Sequence, residues 1–157
     1  MKVSVYAGTF DPITVGHLDL IKKASETCGS LIVTIGHNPD KKTTMFDLET
    51  RLRMIREATK DMKNVTVDSF SGLLVNYCNK VGSKTIVRGI RAVSDVESEL
   101  SIGYANESLD DTITTVFFMP KIKNSFISSS TFRAIFKENG KVSHLVHPST
   151  LEIIDNI

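Results

Sequence analysis

The sequence predicts a Rossmann-like, doubly wound α/β fold: a parallel five-stranded sheet with helices on both faces. Short β-branched runs alternate with segments of helical periodicity, and the runs are continuously apolar, as strands buried on both faces must be. A turn rich in Gly and Pro also follows the first run directly, where such folds place their first ligand loop.

Residues 2–7 form the first apolar run, and residues 8–12 break it. From Val15 onward, Leu18, Leu20, Ile21 and Ala24 recur at helical spacing. Residues 31–35 read as a buried strand, and Leu48, Leu52, Ile55 and Ala58 line one face of a helix behind the cap Asp47. A strand at 65–68 leads to a helix over 71–80, and a strand at 85–87 leads to a helical stretch through Tyr104. Residues 112–119 complete the five strands. The tail holds a helix over 128–137, Gly140 as its stop, and a last helical piece after Pro148.

A chain of 157 residues with 41% hydrophobic content can bury one core, so residues 1–157 are expected to form a single domain. The formal charge is +1, which leaves no global field to attract nucleic acid or a membrane, so any anion site must be local. The opening MKVSVYAGTFDP has too short an apolar stretch for a secretory signal, and no run approaches a membrane span. Cys28 and Cys78 fall in helix-like stretches outside any CxxC or Cys/His cluster, and a reduced, cytoplasmic setting follows.

Open α/β sheets bind ligands beyond the carboxyl ends of their strands, and four such places carry unusual residues. The first is Gly8-Thr9-Phe10-Asp11-Pro12-Ile13-Thr14-Val15-Gly16-His17, which opens a helix whose free N–H groups suit phosphate. Thr14 and His17 share a face there, and Gly16 is expected to let a ligand approach the backbone. His17 read alone would be an ordinary surface residue. Neither GxGxxG nor a Walker loop is present, because Ser83 separates Gly82 from Lys84.

The second place is Asn38-Pro39-Asp40-Lys41-Lys42, where Lys41 is either a mobile cation for phosphate or a solvated loop lysine. The third is Arg88-Gly89-Ile90-Arg91, whose two guanidinium groups imply an anionic ligand unless they pair with Asp95 or Glu97 as structural bridges. The fourth is the hydroxyl-rich run from Ser125 to Arg133, which caps a helix and offers a second anion site.

Thr14-Val15-Gly16-His17 and Ile127-Ser128-Ser129-Ser130-Thr131-Phe132-Arg133 resemble the TxGH and ISSTxxR signatures of the nucleotidyltransferase superfamily. The strings GTFDPITVGH, RGIRAVSD and SFISSS further resemble bacterial phosphopantetheine adenylyltransferases, over nearly the whole chain. Nicotinamide mononucleotide adenylyltransferases and cytidylyltransferases share the two signatures, whereas RGIR followed by the Glu99 segment favours pantetheine.

That resemblance implies transfer of AMP from ATP to 4'-phosphopantetheine, giving 3'-dephospho-coenzyme A and pyrophosphate. Thr9, Lys41, Leu74, Arg88 and Asn106 would serve the pantetheine side. The nucleotide side would comprise Thr9, Phe10, His17, Gly89, Ile90, Arg91 and Glu99, together with Asn124, Ser125, Phe126, Ile127, Ser128, Ser129 and Ser130. His17, Lys41 and Arg91 would share the charge that develops during transfer. Mg²⁺ is expected to bridge phosphate oxygens without a protein carboxylate cage. A homohexamer built as a dimer of trimers and feedback by coenzyme A are also implied. The chain departs from the family at Ser98 and Asn124, where aromatic residues are usual.

Overall fold

A computed structural model describes residues 2–40 and 43–157. Its strands are β1 (Val3–Gly8), β2 (Ser30–Gly36), β3 (Val65–Phe70), β4 (Thr85–Gly89) and β5 (Thr114–Phe118). Its helices are α1 (Val15–Cys28), α2 (Leu48–Thr59), α3 (Leu74–Val81), α4 (Val93–Leu109), α5 (Ser129–Lys137) and α6 (Pro148–Asp155). All strand pairs are parallel, in the order β3-β2-β1-β4-β5, as the alternation of runs and helices predicts.

β1 lies at the centre, with Val5 beside Ile32 of β2 on one side and Ile86 of β4 on the other. The chain winds outward from β1 to β3, then returns to the other side of β1 with β4. The crevice at this switch point opens past Gly8 and Gly89.

Both faces of the central strands are covered. Tyr6, Val33, Ile35 and Val87 pack in one buried cluster with Leu20 and Ile21 of α1, Leu52 and Ile55 of α2, Phe132 of α5 and Ile153 of α6. Val5 and Ile86, facing the opposite way, pack with Val75, Tyr77 and Cys78 of α3. Four successive residues of β1 are therefore buried, whereas the edge strand β3 has no fully buried residue and exposes Thr66 and Asp68. Continuous burial thus belongs to the centre of the sheet.

Local chemistry shifts several expected boundaries. α3 starts at Leu74 because Gly72 holds φ at +84°, outside the helical region. α4 continues to Leu109, past Tyr104. Asn139, at φ +56°, takes the left-handed position after α5, while Gly140 donates its N–H to the carbonyl of Ile135 at 2.9 Å. Asp47 caps α2 as predicted, accepting the Thr50 N–H at 2.7 Å. Among the described residues no helix is long and apolar enough to cross a membrane. Cys28 and Cys78 are free, and burial pushes the Cys78 thiol up to about 11.

Candidate active site

A cavity of about 440 Å³ opens at the switch point, between the ends of β1 and β4 and the first turns of α1 and α5. Side-chain hydrogen bonds hold the loop after β1 that lines it. Arg51, a residue only 5% exposed, donates from its guanidinium to the carbonyl of Thr9 at 2.8 Å and to that of Phe46 at 3.0 Å. Arg133 donates to the carbonyl of Asp11 at 2.9 Å. The buried Asp11 carboxylate accepts the N–H groups of Met45 and Phe46 at 2.7 and 2.9 Å. Phe10 sits at φ +46° and the Asp11–Pro12 peptide is cis.

Thr14 caps α1 through a reciprocal arrangement with His17. Thr14 Oγ1 accepts the His17 N–H at 3.4 Å, and His17 Nδ1 accepts the Thr14 N–H at 3.0 Å. A ring nitrogen that accepts cannot carry the proton, so Nε2–H is the donor of this imidazole, and the ring lines the cavity. Burial, with a smaller push from Arg91, lowers its pKa from 6.5 to about 4. His17 is therefore a neutral donor, its ring centroid 5.0 Å from that of Phe10 in an edge-to-face arrangement.

Gly16 lines the cavity and also makes room for protein. A Cβ there would stand 3.1 Å from the carbonyl oxygen of Ile127. That closeness brings the start of α5 against the start of α1, and Ser129 Oγ donates across the gap to the Pro12 carbonyl at 2.8 Å. Ser128 caps α5, accepting the Thr131 N–H at 3.1 Å. Two helix N-termini consequently border one cavity, and their dipoles both favour an anion there.

Arg88, near the end of β4, and Arg91, just beyond it, both have acidic partners. Arg88 donates to the two oxygens of Glu99 at 2.8 and 3.0 Å, a bidentate pair, and Nη1 also reaches the Ala7 carbonyl at 3.3 Å. Arg91 lies 3.5 Å from Asp95, whose carboxyl is held below its usual range first by the backbone N–H of Arg91. The bridge to Asp95 is thus present for Arg91, while Arg88 takes Glu99 and neither of the two acids first considered. Asp95 and Glu99 are four apart on α4, which places them on one helix face, whereas Glu97 is not on it.

Of the residues expected at the site, Thr9, Phe10, His17, Arg88, Gly89, Arg91, Glu99 and Ile127 to Ser130 line this cavity. Ile90, Leu74, Asn106, Asn124, Ser125 and Phe126 do not line it. Ile90 donates its N–H to the Phe118 carbonyl, Leu74 packs against the α3-side core, and Asn106 gives its carbonyl to the N–H of Asp110. The Asn124 amide donates to Asp19 at 2.7 Å, Ser125 Oγ to the Ile122 carbonyl at 2.8 Å, and Phe126 is 62% exposed. Lys41 lies outside the described residues.

Sequence reasoning missed Asp11, Arg51 and Tyr6. Arg133 stood in a recognised signature, whereas Arg51 reads as one of several charged positions on an amphipathic helix and carries no local signal. Tyr6 also lines the cavity, and burial raises its phenol well above the usual range. Among the described residues no group of three or more His, Cys, Asp or Glu could hold a metal ion.

The cytidylyltransferase-like family matches residues 5–135 of the chain. The phosphopantetheine adenylyltransferase of Nautilia profundicola is 50% identical over 143 residues, covering 91% of this chain and 92% of its own length. That of Helicobacter pylori is 49% identical, with 92% of each chain covered. That of Helicobacter acinonychis is 46% identical over 156 residues, with 99% of each covered. Among solved structures, a protein described as a nicotinate-nucleotide adenylyltransferase from Vibrio parahaemolyticus aligns with a TM-score of 0.75 at 19% identity, over 99% of this chain and 93% of that one. This last likeness is one of fold.

Proposed function

The chain belongs to the phosphopantetheine adenylyltransferases, nucleotidyltransferases of the cytidylyltransferase-like family, and we propose how its crevice works. It transfers AMP from ATP to 4'-phosphopantetheine, yielding 3'-dephospho-coenzyme A and pyrophosphate. The observation that carries the crevice as the place of reaction is the convergence on one cavity of two helix N-termini, a neutral His17 with a free Nε2–H, and the Arg88 and Arg91 guanidinium groups.

An oxygen of the pantetheine phosphate attacks the α-phosphorus of ATP in line. A new P–O bond forms, and the bond to the bridging oxygen breaks, its electron pair leaving with pyrophosphate. The attacking group is already ionised near neutral pH, so no general base is required. Nε2–H of His17 donates to an α-phosphoryl oxygen and keeps its proton throughout. Because the imidazole is uncharged, it stabilises by a directed dipole, while Arg91 and Lys41 supply charge.

On the acceptor side, Thr9 and Arg88 hold the phosphate, with Leu74 and Asn106 beside the pantetheine arm. The bidentate bond from Glu99 supports a role in orienting Arg88. On the nucleotide side, Phe10, Gly89, Ile90 and the run from Asn124 to Ser130 accommodate ATP.

Mg²⁺ bound with ATP would supply neutralisation of the phosphate charge, and it would need no carboxylate of this chain to hold it. The state of the cavity's carboxylates fits this: Asp11 is occupied by two backbone N–H groups and Glu99 by Arg88. Coenzyme A carries the same pantetheine and adenosine halves as the product, so it would compete for the crevice and act as a feedback inhibitor. A homohexamer is supported by α4, which buries no residue and leaves Tyr104 67% and Leu109 57% exposed. The free Cys28 and Cys78 support a cytoplasmic setting.

The test is pyrophosphate release from ATP with two acceptors in parallel. 4'-Phosphopantetheine should be turned over far faster than nicotinamide mononucleotide, and equal or reversed rates would overturn the reading.

A further inference from the structure

The segment that joins β5 to α5 carries the residues read as the nucleotide loop, yet its far end touches the cavity nowhere. It is fastened instead to the outer face of α1. Asp19 Oδ2 accepts the Asn124 side-chain N–H at 2.7 Å and the Lys121 backbone N–H at 3.2 Å. One turn further along α1, Lys23 donates its ammonium to the Met119 carbonyl. These contacts join parts of the chain that are about a hundred residues apart in sequence, so only the folded state makes them.

We propose that Asp19 is a positioning residue for ATP and that the Asn124 side chain is its latch. The inference rests on the reading of residues 124–130 as the nucleotide loop. His17 and Asp19 are two residues apart on α1, so the element that presents the imidazole also sets the distance of the loop. The Asn124 backbone carbonyl, in turn, accepts the Ile127 N–H at 3.1 Å, immediately before the Ser128 cap. Asp19 thus acts on the start of α5 through one side chain and one tight turn. A phenylalanine at position 124 would offer the carboxylate no donor, and a tyrosine or tryptophan would offer its donor from a larger ring. In this chain the Asn124 side chain holds the loop in place through Asp19.

The experiment compares Asp19→Ala, Asn124→Ala and the double variant, by steady-state kinetics with both substrates and by direct ATP titration. Asn124→Ala should raise the ATP Kd and the ATP KM roughly tenfold, the equivalent of one charge-assisted hydrogen bond, and Asp19→Ala should raise them at least as much. The KM for 4'-phosphopantetheine should stay within about twofold, and the double variant should be no worse than Asp19→Ala, which removes the Asn124 contact together with the Lys121 one. An unchanged ATP Kd, additive losses, or equal losses for both substrates would overturn the proposal. The titration reads the latch without turnover. Failure of the acceptor assay in the unaltered protein would sink the functional reading and leave this measurement standing.

Discussion

Glu99 grips Arg88 from the second turn of α4, with both carboxylate oxygens engaged, at 2.8 and 3.0 Å. The side chains of the two residues are 21% and 16% exposed, so the pair is largely shielded from water and its geometry is fixed. The resemblance to the family had set these residues on opposite substrates, Arg88 on the pantetheine side and Glu99 on the nucleotide side.

If Glu99 acts through Arg88, the two should fail together. Arg88→Ala should raise the KM for 4'-phosphopantetheine by roughly 10- to 100-fold, the range for a lost charged hydrogen bond. Glu99→Gln should raise the same KM by less, because it keeps one acceptor. A change in the ATP KM alone for Glu99→Gln would return Glu99 to the nucleotide side.

His17 should act on the rate more than on binding. A preorganised donor gains most where charge develops, and its loss typically costs about a hundredfold to a thousandfold in kcat, roughly 3 to 4 kcal/mol. His17→Ala should show that loss beside near-normal ATP affinity. Unchanged kcat with weakened ATP binding would reverse the assignment.

The same ring should mark the acid limb of stability. Its pKa is near 6.5 when unfolded and about 4 in the fold, so the unfolded chain takes up the proton first. The contribution of neutral His17 to stability is complete above about 6.5 and is lost as the pH falls towards about 4. His17→Gln keeps an acceptor for the Thr14 N–H and does not titrate. Urea unfolding of the two proteins should therefore show the unaltered chain losing more stability than the variant between about pH 7 and about pH 4.

Gly89→Ala should destabilise by about 1–3 kcal/mol, because the new methyl would stand 2.4 Å from Leu20 Cδ1 in a core position only 4% exposed. Adding Leu20→Val should recover part of the loss in urea unfolding. An undiminished midpoint for Gly89→Ala would mean that Leu20 can move at no cost.

Arg51→Met should cost about 2–5 kcal/mol by the same measurement. It fills similar space but strips the Thr9 and Phe46 carbonyls of their donor in a buried setting. The loss should exceed that of Arg56→Met, whose guanidinium is half exposed in a surface pair with Glu49.

By itself the sequence determined the layered architecture, because that depends on periodicities local to each element. Val5 and Tyr6, side by side in the chain and buried on opposite faces, reveal a doubly covered strand before any partner is known. It also determined the cap Asp47, which acts within one helical turn, and the lining residues Gly8 to Phe10 and those carried in TVGH and ISSS.

What only the tertiary structure decided is which groups meet across long separations. The buried Arg51 on the Thr9 carbonyl, Asp19 on Asn124, and the Ile127 carbonyl against Gly16 have no signature, since each depends on the crossing of elements many residues apart. The choice of Glu99 over Glu97 for Arg88 depended on the phase of α4 relative to β4, which composition does not encode. The charge state of His17 was decided the same way: a histidine at a helix start is ordinarily titratable near neutrality, and burial in the assembled crevice, together with Arg91, keeps it neutral.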